Sequence, residues 1–409
     1  MLLNKYFDYK IYNKFKYNFF IPNIIILIVS IWFFSNTGYL IFPIFVILFA
    51  MLGIYFFNTK DENKYSLLKY IVLFFFIYYI VSILHIFILN ETYLLEDLIT
   101  ETPKIFMNIL IFCFFLIFIQ NDDFKYKLKI ALTFSIMIGV FTIALQAYFI
   151  YFENYHINYL EMIMGREQRI RGTAGIKGIF RLSGMYNEPG TYSVFMYALL
   201  FSRYLLNKKI DLVFVIGLLS TLVTLAAQAY VSFFIIVLAM FAKFFFDVFF
   251  KFKVSKTTFS INIIFIFIIF SVWLLFGEQI IAYIDARFFQ TTDGTLSHRA
   301  EATTIILSQN IFTLIVGMGF NYQGYGLTIA DSGLFLSSYA QFGIFGLSFL
   351  FLLMYILIKY DFFALVMFII IILSKLSIIY PILWIYFALI VSKSNILKYV
   401  SSKEKYYEK

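Results

Sequence analysis

The sequence contains little charge: only 13% of its 409 residues are Asp, Glu, Lys or Arg, about half the share found in soluble globular proteins. Hydrophobic residues account for 62% and aromatic residues for 22%. A water-soluble fold has no interior large enough for that much apolar surface. The composition therefore excludes a soluble enzyme, a disordered chain and a nucleic-acid-binding domain, and it indicates a membrane protein.

Cysteine and histidine are also scarce, with one and three residues. Because Cys113 is the single cysteine, no internal disulfide can form. It lies inside an apolar run. The three histidines are scattered and show no metal-ligand spacing. Neither a Walker-type phosphate loop nor a Ser-His-Asp order is present. We therefore expect no metal and no cofactor, and we expect any chemistry to use Arg, Glu and Asp.

Apolar runs occupy most of the chain, and about twelve of them are candidates for transmembrane helices, which take roughly 20 residues each. We place these spans at 19–34, 39–57, 66–89, 105–119, 130–152, 191–206, 211–227, 230–250, 260–276, 334–358, 362–373 and 376–391. No short cleavable signal is evident ahead of the first span, and no internal repeat is detectable. The sequence predicts an all-α, polytopic fold in a single integral membrane domain over residues 1–409.

Lysines mark alternate connections between these spans, and cytoplasmic loops of membrane proteins collect Lys and Arg. The marked segments carry lysines 5, 10, 14, 16, 60, 64, 125, 127, 129, 208, 209, 251, 253, 256, 359, 393, 398, 403, 405 and 409. The intervening connections include a tight turn at Gln228 and two long loops, 153–190 and 277–333. Both termini are therefore predicted to be cytoplasmic and both long loops to be outside.

Arginine is rare, with seven residues against 25 lysines, yet six of the seven lie in the two long outer loops. These six are Arg166, Arg169, Arg171, Arg181, Arg287 and Arg299. A guanidinium offers a planar fork of donors that matches phosphate or carboxylate, whereas an ammonium is a point charge. The distribution favours an anion-binding site in these loops. The alternative is that they are ordinary loop charges paired with neighbouring Asp and Glu residues.

The first long loop ends in RLSGMYNEPGTYSVF, immediately before an apolar helix. Pro189 and Gly190 indicate a chain break followed by a helix start. Glu188 would then lie at the membrane surface near the positive end of the helix. It is a candidate general base or a partner that orients an arginine; the alternative is a capping carboxylate. Tyr186 is a weaker candidate for stacking on a sugar ring.

The second long loop contains SHRAEATTIILSQNIFTLIVGMG and then DSGLFLSSYAQFGIFG. Apolar residues from Ala300 to Leu314 have rough helical spacing, so we predict an amphipathic helix on the outer leaflet that begins at Arg299. His298 is either a proton acceptor or a solvated loop residue. Asp331 stands at the entry to the next span and is a second candidate base.

These three segments resemble the O-antigen polymerase and ligase superfamily, which includes the Wzy-type polymerases of bacterial surface polysaccharides. RLSGMYNEPGTYS is similar to an Arg, Gly, Glu-Pro signature before a central span. SHRAEATTIILSQNIFTLIVGMG is similar to an Arg-led helix that ends in Gly-x-Gly, and DSGLFLSSYAQFGIFG to the start of a late span. Ligases carry a histidine where this chain has Asp331, which favours a polymerase. The Arg-x10-Gly pattern of some polymerases is absent, because Leu182 and Asn310 occupy the glycine positions.

The resemblance implies a GT-C-like transferase architecture and a location in the bacterial plasma (inner) membrane. It implies polymerisation of undecaprenyl-diphosphate-linked oligosaccharides, as donor and acceptor, into O-antigen or capsule. Arg181 and Arg299, then Arg171 and Arg287, would bind the diphosphate, and Glu188 or Asp331 would act on the acceptor hydroxyl. Membrane lipid and a chain-length regulator are the expected partners, and the transferase is expected to be inverting and independent of metal. The alternatives are a ligase-type glycan transferase and a lipid-linked oligosaccharide flippase.

Overall fold

The computed structural model describes residues 80, 108–109, 111–116, 118–164, 171–173, 176–249, 274, 277–278, 294–319, 333–376, 378 and 380–394. This part of the chain is mostly helical and contains one two-stranded antiparallel sheet. The main elements are α1 (Asp122–Phe152), α2 (Tyr159–Met164), β1 (Arg171–Thr173), β2 (Ile176–Arg181), α3 (Pro189–Asn207), α4 (Leu212–Leu222), α5 (Ala227–Phe249), α6 (Gly294–Leu307), α7 (Ile311–Val316), α8 (Leu334–Tyr360), α9 (Phe362–Leu373) and α10 (Pro381–Val391).

Three of the described helices are long and apolar enough to cross a membrane: α1, α5 and α8. Many large apolar side chains on these helices are exposed, among them Phe141, Leu238 and Phe351 at 62%, 65% and 57%. Exposed apolar surface of this extent is typical of contact with lipid. The protein is therefore a helical, membrane-embedded protein.

The apolar pattern predicts several helix bounds closely, but the tight turn expected at Gln228 is wrong. Gln228 lies within α5, and the chain turns at 223–226 instead. The Thr224 hydroxyl donates to the Thr221 carbonyl at 2.6 Å and accepts from the Ala226 N–H at 3.3 Å. Such local hydroxyl bonds compete with helical ones, and they end α4 five residues before the predicted boundary.

The helix expected to begin at Arg299 is also corrected. It begins at Gly294, ends at Leu307, and is followed by the separate helix α7. The Asn310 side chain accepts a hydrogen bond from the Thr313 N–H at 2.8 Å and so caps α7. An Asn side chain at this position is a strong helix-start signal, and it divides the predicted amphipathic helix into two.

Helix α3 is the centre of the bundle, where it contacts α1, α4, α5, α9 and α10. Every residue from Tyr192 to Leu205 is buried, so this part of α3 has no polar face to present to water. Its tyrosine hydroxyls find partners inside the protein: Tyr192 donates to Ser220 at 2.8 Å, and Tyr197 donates to the Ala229 carbonyl at 2.7 Å. These bonds satisfy hydroxyls that are costly to bury alone.

Helices α1 and α3 run antiparallel, and this arrangement defines two ends of the bundle. Arg203 Nε donates to Thr133 Oγ1 near the start of α1, whereas Gly184, just before α3, lies against Thr142 in the second half of α1. We call the first end the lysine end, because Lys125, Lys208 and Lys393 lie there. The opposite end, with β1, β2 and the start of α3, is the arginine end.

The lysine end contains two groups of charged side chains bound within the protein. Arg203, which is 4% exposed, donates to both carboxylate oxygens of Asp211 at 2.7 and 2.6 Å. Asp361 accepts from the Tyr204 hydroxyl at 2.5 Å and lies 3.7 Å from Lys243 Nζ. Arg203, the arginine outside the two long loops, therefore has a structural role in joining α3 to the start of α4.

Candidate functional site

The arginine end brings two of the predicted anion-binding residues together. Strands β1 and β2 form an antiparallel hairpin in which Arg171 and Arg181 are paired directly across the ladder. Residues opposite each other in such a ladder have Cβ atoms roughly 4.5–5.5 Å apart, and like charges there are destabilising. The hairpin therefore pairs two arginine positions that lie ten positions apart in the sequence.

A buried amide on α1 fixes the segment that carries Arg181. Gln146 is 1% exposed, and its Oε1 accepts hydrogen bonds from the Ser183 N–H at 3.0 Å and the Gly184 N–H at 2.8 Å. Its Nε2 lies 3.4 Å from His156 Nε2 and donates to the Ile157 carbonyl at 3.5 Å. One side chain thus binds both the early and the late part of the first long loop.

Two further contacts hold the same segment against α1. The Tyr151 hydroxyl donates to the Phe180 carbonyl and accepts from the Phe180 N–H, both at 3.2 Å. Gly184 has a φ of +56°, and a Cβ built there would lie 3.1 Å from Thr142 Oγ1. Residues on either side of Arg181 are therefore attached to successive turns of one helix, which determines where β2 ends.

Glu188 is placed as the sequence predicts. It is the N-terminal flanking residue of α3, with φ −137° and ψ 151°, and Pro189 occupies the first helical position. Its side chain is half-buried and makes no capping hydrogen bond to the start of α3. The carboxylate lies at the positive end of the α3 dipole, seven residues after Arg181.

Tyr186 packs within the protein, which corrects the expectation that its ring is open to a sugar. The ring is 2% exposed; it stacks on Phe195 with centroids 5.3 Å apart and meets Tyr192 edge-on at 5.6 Å. Phe195 in turn contacts Tyr380, just before α10, at 4.8 Å. The aromatic group thus supports the turn between Arg181 and Glu188.

A small cavity of about 190 Å³ adjoins the hairpin and is lined by Ile150, Asn154, Tyr155, His156 and Phe180. Partial burial lowers the pKa of His156 below its ordinary value of 6.5, which favours the neutral imidazole. A neutral imidazole nitrogen can accept the hydrogen bond from Gln146 Nε2. The Gln146 side chain therefore contacts both His156, in the wall of the cavity, and the Gly184 N–H.

Three further site residues are predicted from the second long loop: Arg299, Arg287 and Asp331. Arg299 is a residue of α6, which packs against α8, while Arg287 and Asp331 lie outside the described residues. In the described segments, no three His, Cys, Asp or Glu residues come together as potential metal ligands.

Gln146 is the residue that sequence reasoning missed. A strongly polar side chain within a predicted apolar span is costly unless it is partnered, and this was the available signal. Gln146 lies in the second half of the span predicted at 130–152.

The comparisons with known proteins do not add a relative to this picture. No family model, curated protein or solved structure matches the chain.

Proposed function

We propose that the protein is a membrane glycosyltransferase that polymerises undecaprenyl-diphosphate-linked oligosaccharide repeat units into O-antigen or capsule. The pairing of Arg171 with Arg181 across the hairpin carries the proposal. Two like charges at such positions repel each other. A diphosphate bound to both arginines would remove this repulsion and be attracted to each of them. The sequence motifs that resemble the Wzy-type polymerases supply the identity of the substrate.

The proposed reaction needs a place for the leaving group and a place for a proton. The acceptor hydroxyl oxygen forms a bond to the anomeric carbon of the donor, and the bond from that carbon to the diphosphate oxygen breaks. Arg171 and Arg181 stabilise the charge that develops on the diphosphate. Glu188, or Asp331, takes the proton of the attacking hydroxyl. Direct displacement inverts the anomeric configuration.

The proposed anion site also includes arginines of the second long loop. Arg299 on α6 and Arg287 complete the proposed anion site, and the low dielectric at a membrane surface strengthens each contact. Tyr186 contributes as a buried support of the segment that carries Arg181 and Glu188.

The proposed orientation follows the lysine distribution. The lysine end faces the cytoplasm with both termini, the arginine end faces outward, and about twelve spans cross the bacterial plasma membrane. Donor and acceptor then reach the hairpin from the outer leaflet. Membrane lipid surrounds the bundle, and a chain-length regulator is the proposed protein partner.

The test is complementation of a deletion strain, with polysaccharide length read from gels at matched protein abundance. Arg171→Lys and Arg181→Lys keep the charge but lose the planar fork, so we expect shortened ladders from both. Arg166→Lys is the matched control from the same loop, and we expect it to keep the full ladder. Full ladders from both test variants would rule out the diphosphate role.

The deletion strain also separates the proposed reaction from its alternatives. A polymerase deletion leaves single repeat units on the lipid carrier, whereas a ligase deletion leaves long polymer there. Movement of lipid-linked units across liposomes by the purified protein, without polymer formation, would instead identify a flippase.

A further inference from the structure

The lysine end contains a second group of cations that the proposed reaction does not use. Lys208 Nζ lies 3.7 Å from the centroid of the Tyr360 ring, and Lys393 Nζ lies 5.5 Å from the same centroid. Ammonium groups are attracted to the electron-rich face of an aromatic ring. Two cations therefore converge on one side chain, which itself carries no formal charge.

Backbone structure fixes both lysines. Lys208 ends α3 in the left-handed conformation, with φ 53° and its N–H bound to the Tyr204 carbonyl at 2.7 Å. Lys393 follows α10, and its N–H donates to the Ile390 carbonyl at 3.0 Å. Tyr360 is the last residue of α8. The ends of three helices thus meet at this group.

Three of the carboxylates that the structure describes at this end are bound to other partners. Asp211 binds Arg203, Asp361 binds Tyr204 and lies beside Lys243, and Asp122 binds Lys125 at 2.8 Å. Within the described part of the chain, no ion pair joins Lys208 or Lys393 to a carboxylate. Among the described residues, these two ammonium groups therefore face the Tyr360 ring and no carboxylate.

Burial and nearby positive charge both act on Lys393. Burial, and then the charges of Lys125 and Lys208, lower the pKa of Lys393 to about 8. The protonated form of Lys393 is therefore costly in the protein as it stands. An external anion placed between the ammonium groups of Lys208 and Lys393 would relieve that cost.

We propose that Lys208 and Lys393, which share the Tyr360 ring, form a binding site for the phosphate group of an anionic phospholipid in the leaflet at the lysine end. The site lies where helix ends meet, at the position where basic groups between helices contact lipid headgroups. It is independent of the glycan-polymerising activity and of the arginine end.

The first test uses the unaltered full-length protein in nanodiscs of phosphatidylglycerol or of phosphatidylcholine. Acetylation of Lys393 by acetic anhydride is followed by mass spectrometry as a function of pH. A bound phosphate raises the pKa of Lys393, and a rise of one unit slows acetylation about fivefold at pH 8. We expect that slowing in phosphatidylglycerol and not in phosphatidylcholine.

A third arm separates lipid from free anion. Inorganic phosphate at 10 mM, on the order of a weak binding constant, is added to the phosphatidylcholine nanodiscs. No change there, with slowing in phosphatidylglycerol, supports the lipid headgroup. Equal slowing by inorganic phosphate overturns the assignment to lipid, and identical titration of Lys393 in all three samples overturns the site.

The second test measures lipid retention by native mass spectrometry. Lys208→Gln and Lys393→Gln should each weaken phosphatidylglycerol retention by about fivefold, the effect of one lysine near an anionic surface. Lys209→Gln is the matched control, because Lys209 is exposed and adjacent in sequence. Equal loss from all three variants would show only a general charge effect and would contradict the site.

Discussion

The Gln146 side chain accepts a hydrogen bond from the Gly184 N–H at 2.8 Å, across a sequence separation of 38 residues. This contact joins the interior of α1 to the turn between Arg181 and Glu188. The same oxygen accepts from the Ser183 N–H. The position of the candidate anion site is therefore determined by a side chain that belongs to a predicted membrane span and touches no proposed substrate.

Replacement of Gln146 by Leu should release this turn. Two buried N–H groups would lose their acceptor, at a cost of about 1–3 kcal/mol for each group left unsatisfied. We expect a lower melting temperature in detergent and shorter polysaccharide ladders in a complemented strain. Limited proteolysis, followed by mass spectrometry, should show faster cleavage between Phe180 and Glu188.

Gln309→Leu is the control for that change. Gln309 lies two residues after the end of α6 and donates to the Ile305 carbonyl of that helix at 3.0 Å, so its loss leaves no distant segment unbound. An unchanged rate of cleavage in Gln146→Leu would show that the turn is held by other contacts, chiefly Tyr151 with Phe180.

The sequence predicts the helical part of this site better than its loop. The Pro-Gly break places the start of α3 at Pro189 because proline has a strong preference for the first helical position. The β-hairpin was not predicted, because strands β1 and β2 are short and β2 is held by contacts with α1, such as that of Phe180 with Tyr151, that are distant in sequence. For the same reason, the pairing of Arg171 with Arg181 could not be predicted from the sequence.

Gly184→Ala tests the backbone at this turn. A non-glycine residue at a φ of +56° costs about 1–2 kcal/mol, and the added Cβ would lie 3.1 Å from Thr142 Oγ1. We expect a lower melting temperature and a loss of polymer length. Gly190→Ala is the matched control, since a Cβ there meets nothing within 4 Å. Similar melting temperatures for both variants would contradict this account.

The Arg203 and Asp211 pair predicts that lysine cannot replace arginine at position 203 without a loss of stability. Arg203→Lys keeps the charge but loses the paired bonds to Asp211 and the bond to Thr133 Oγ1, and we expect the free energy of unfolding to fall by about 2 kcal/mol. Lys209→Arg, an exposed change of the opposite sense, should have no effect. Thermal unfolding of the purified protein in detergent measures both, and equal melting temperatures would show that charge alone suffices.

The same pair predicts a dependence on acid. Burial raises the pKa of Asp211, but hydrogen bonds from Arg203 and from the Phe214 N–H outweigh it, so the pKa lies below its ordinary value of 3.8. The stabilisation is therefore fully present above pH 3.8 and is lost as the pH falls through the lower, folded-state pKa. The stability difference between the unaltered protein and Asp211→Asn should shrink over that range. A constant difference down to pH 2 would contradict the assignment.

The second long loop shows where sequence reasoning fails for a different reason. Spacing of apolar residues from Ala300 to Leu314 favours one helix, but the Asn310 cap is a local signal that overrides periodicity. The contact that holds α7 is non-local: the Met318 N–H donates to the Ala340 carbonyl on α8 at 2.6 Å. No pattern within the loop encodes that partner.

Gly343→Ala tests how the second loop docks on α8. Gly343 interrupts α8 with φ 57° and ψ −140°, and a Cβ there would lie 2.3 Å from the Ile315 carbonyl oxygen and 2.6 Å from the Gly317 nitrogen. Because both obstacles are backbone atoms, α7 must move away from α8. We expect a fall of several °C in melting temperature, since about 1 kcal/mol corresponds to roughly 2–4 °C in a large domain.

The matched control for this change is Gly139→Ala on α1. A Cβ at Gly139 meets the Met196 methyl at 2.8 Å, which is the far end of a flexible side chain and can turn aside. Alanine also favours the helix over glycine by about 1 kcal/mol, so the control should keep its melting temperature. If Gly343→Ala and Gly139→Ala have the same melting temperature, the close approach of α7 to α8 does not hold α6 and Arg299 in place. If it alone shortens the polysaccharide ladder, the second loop must be docked for polymer growth.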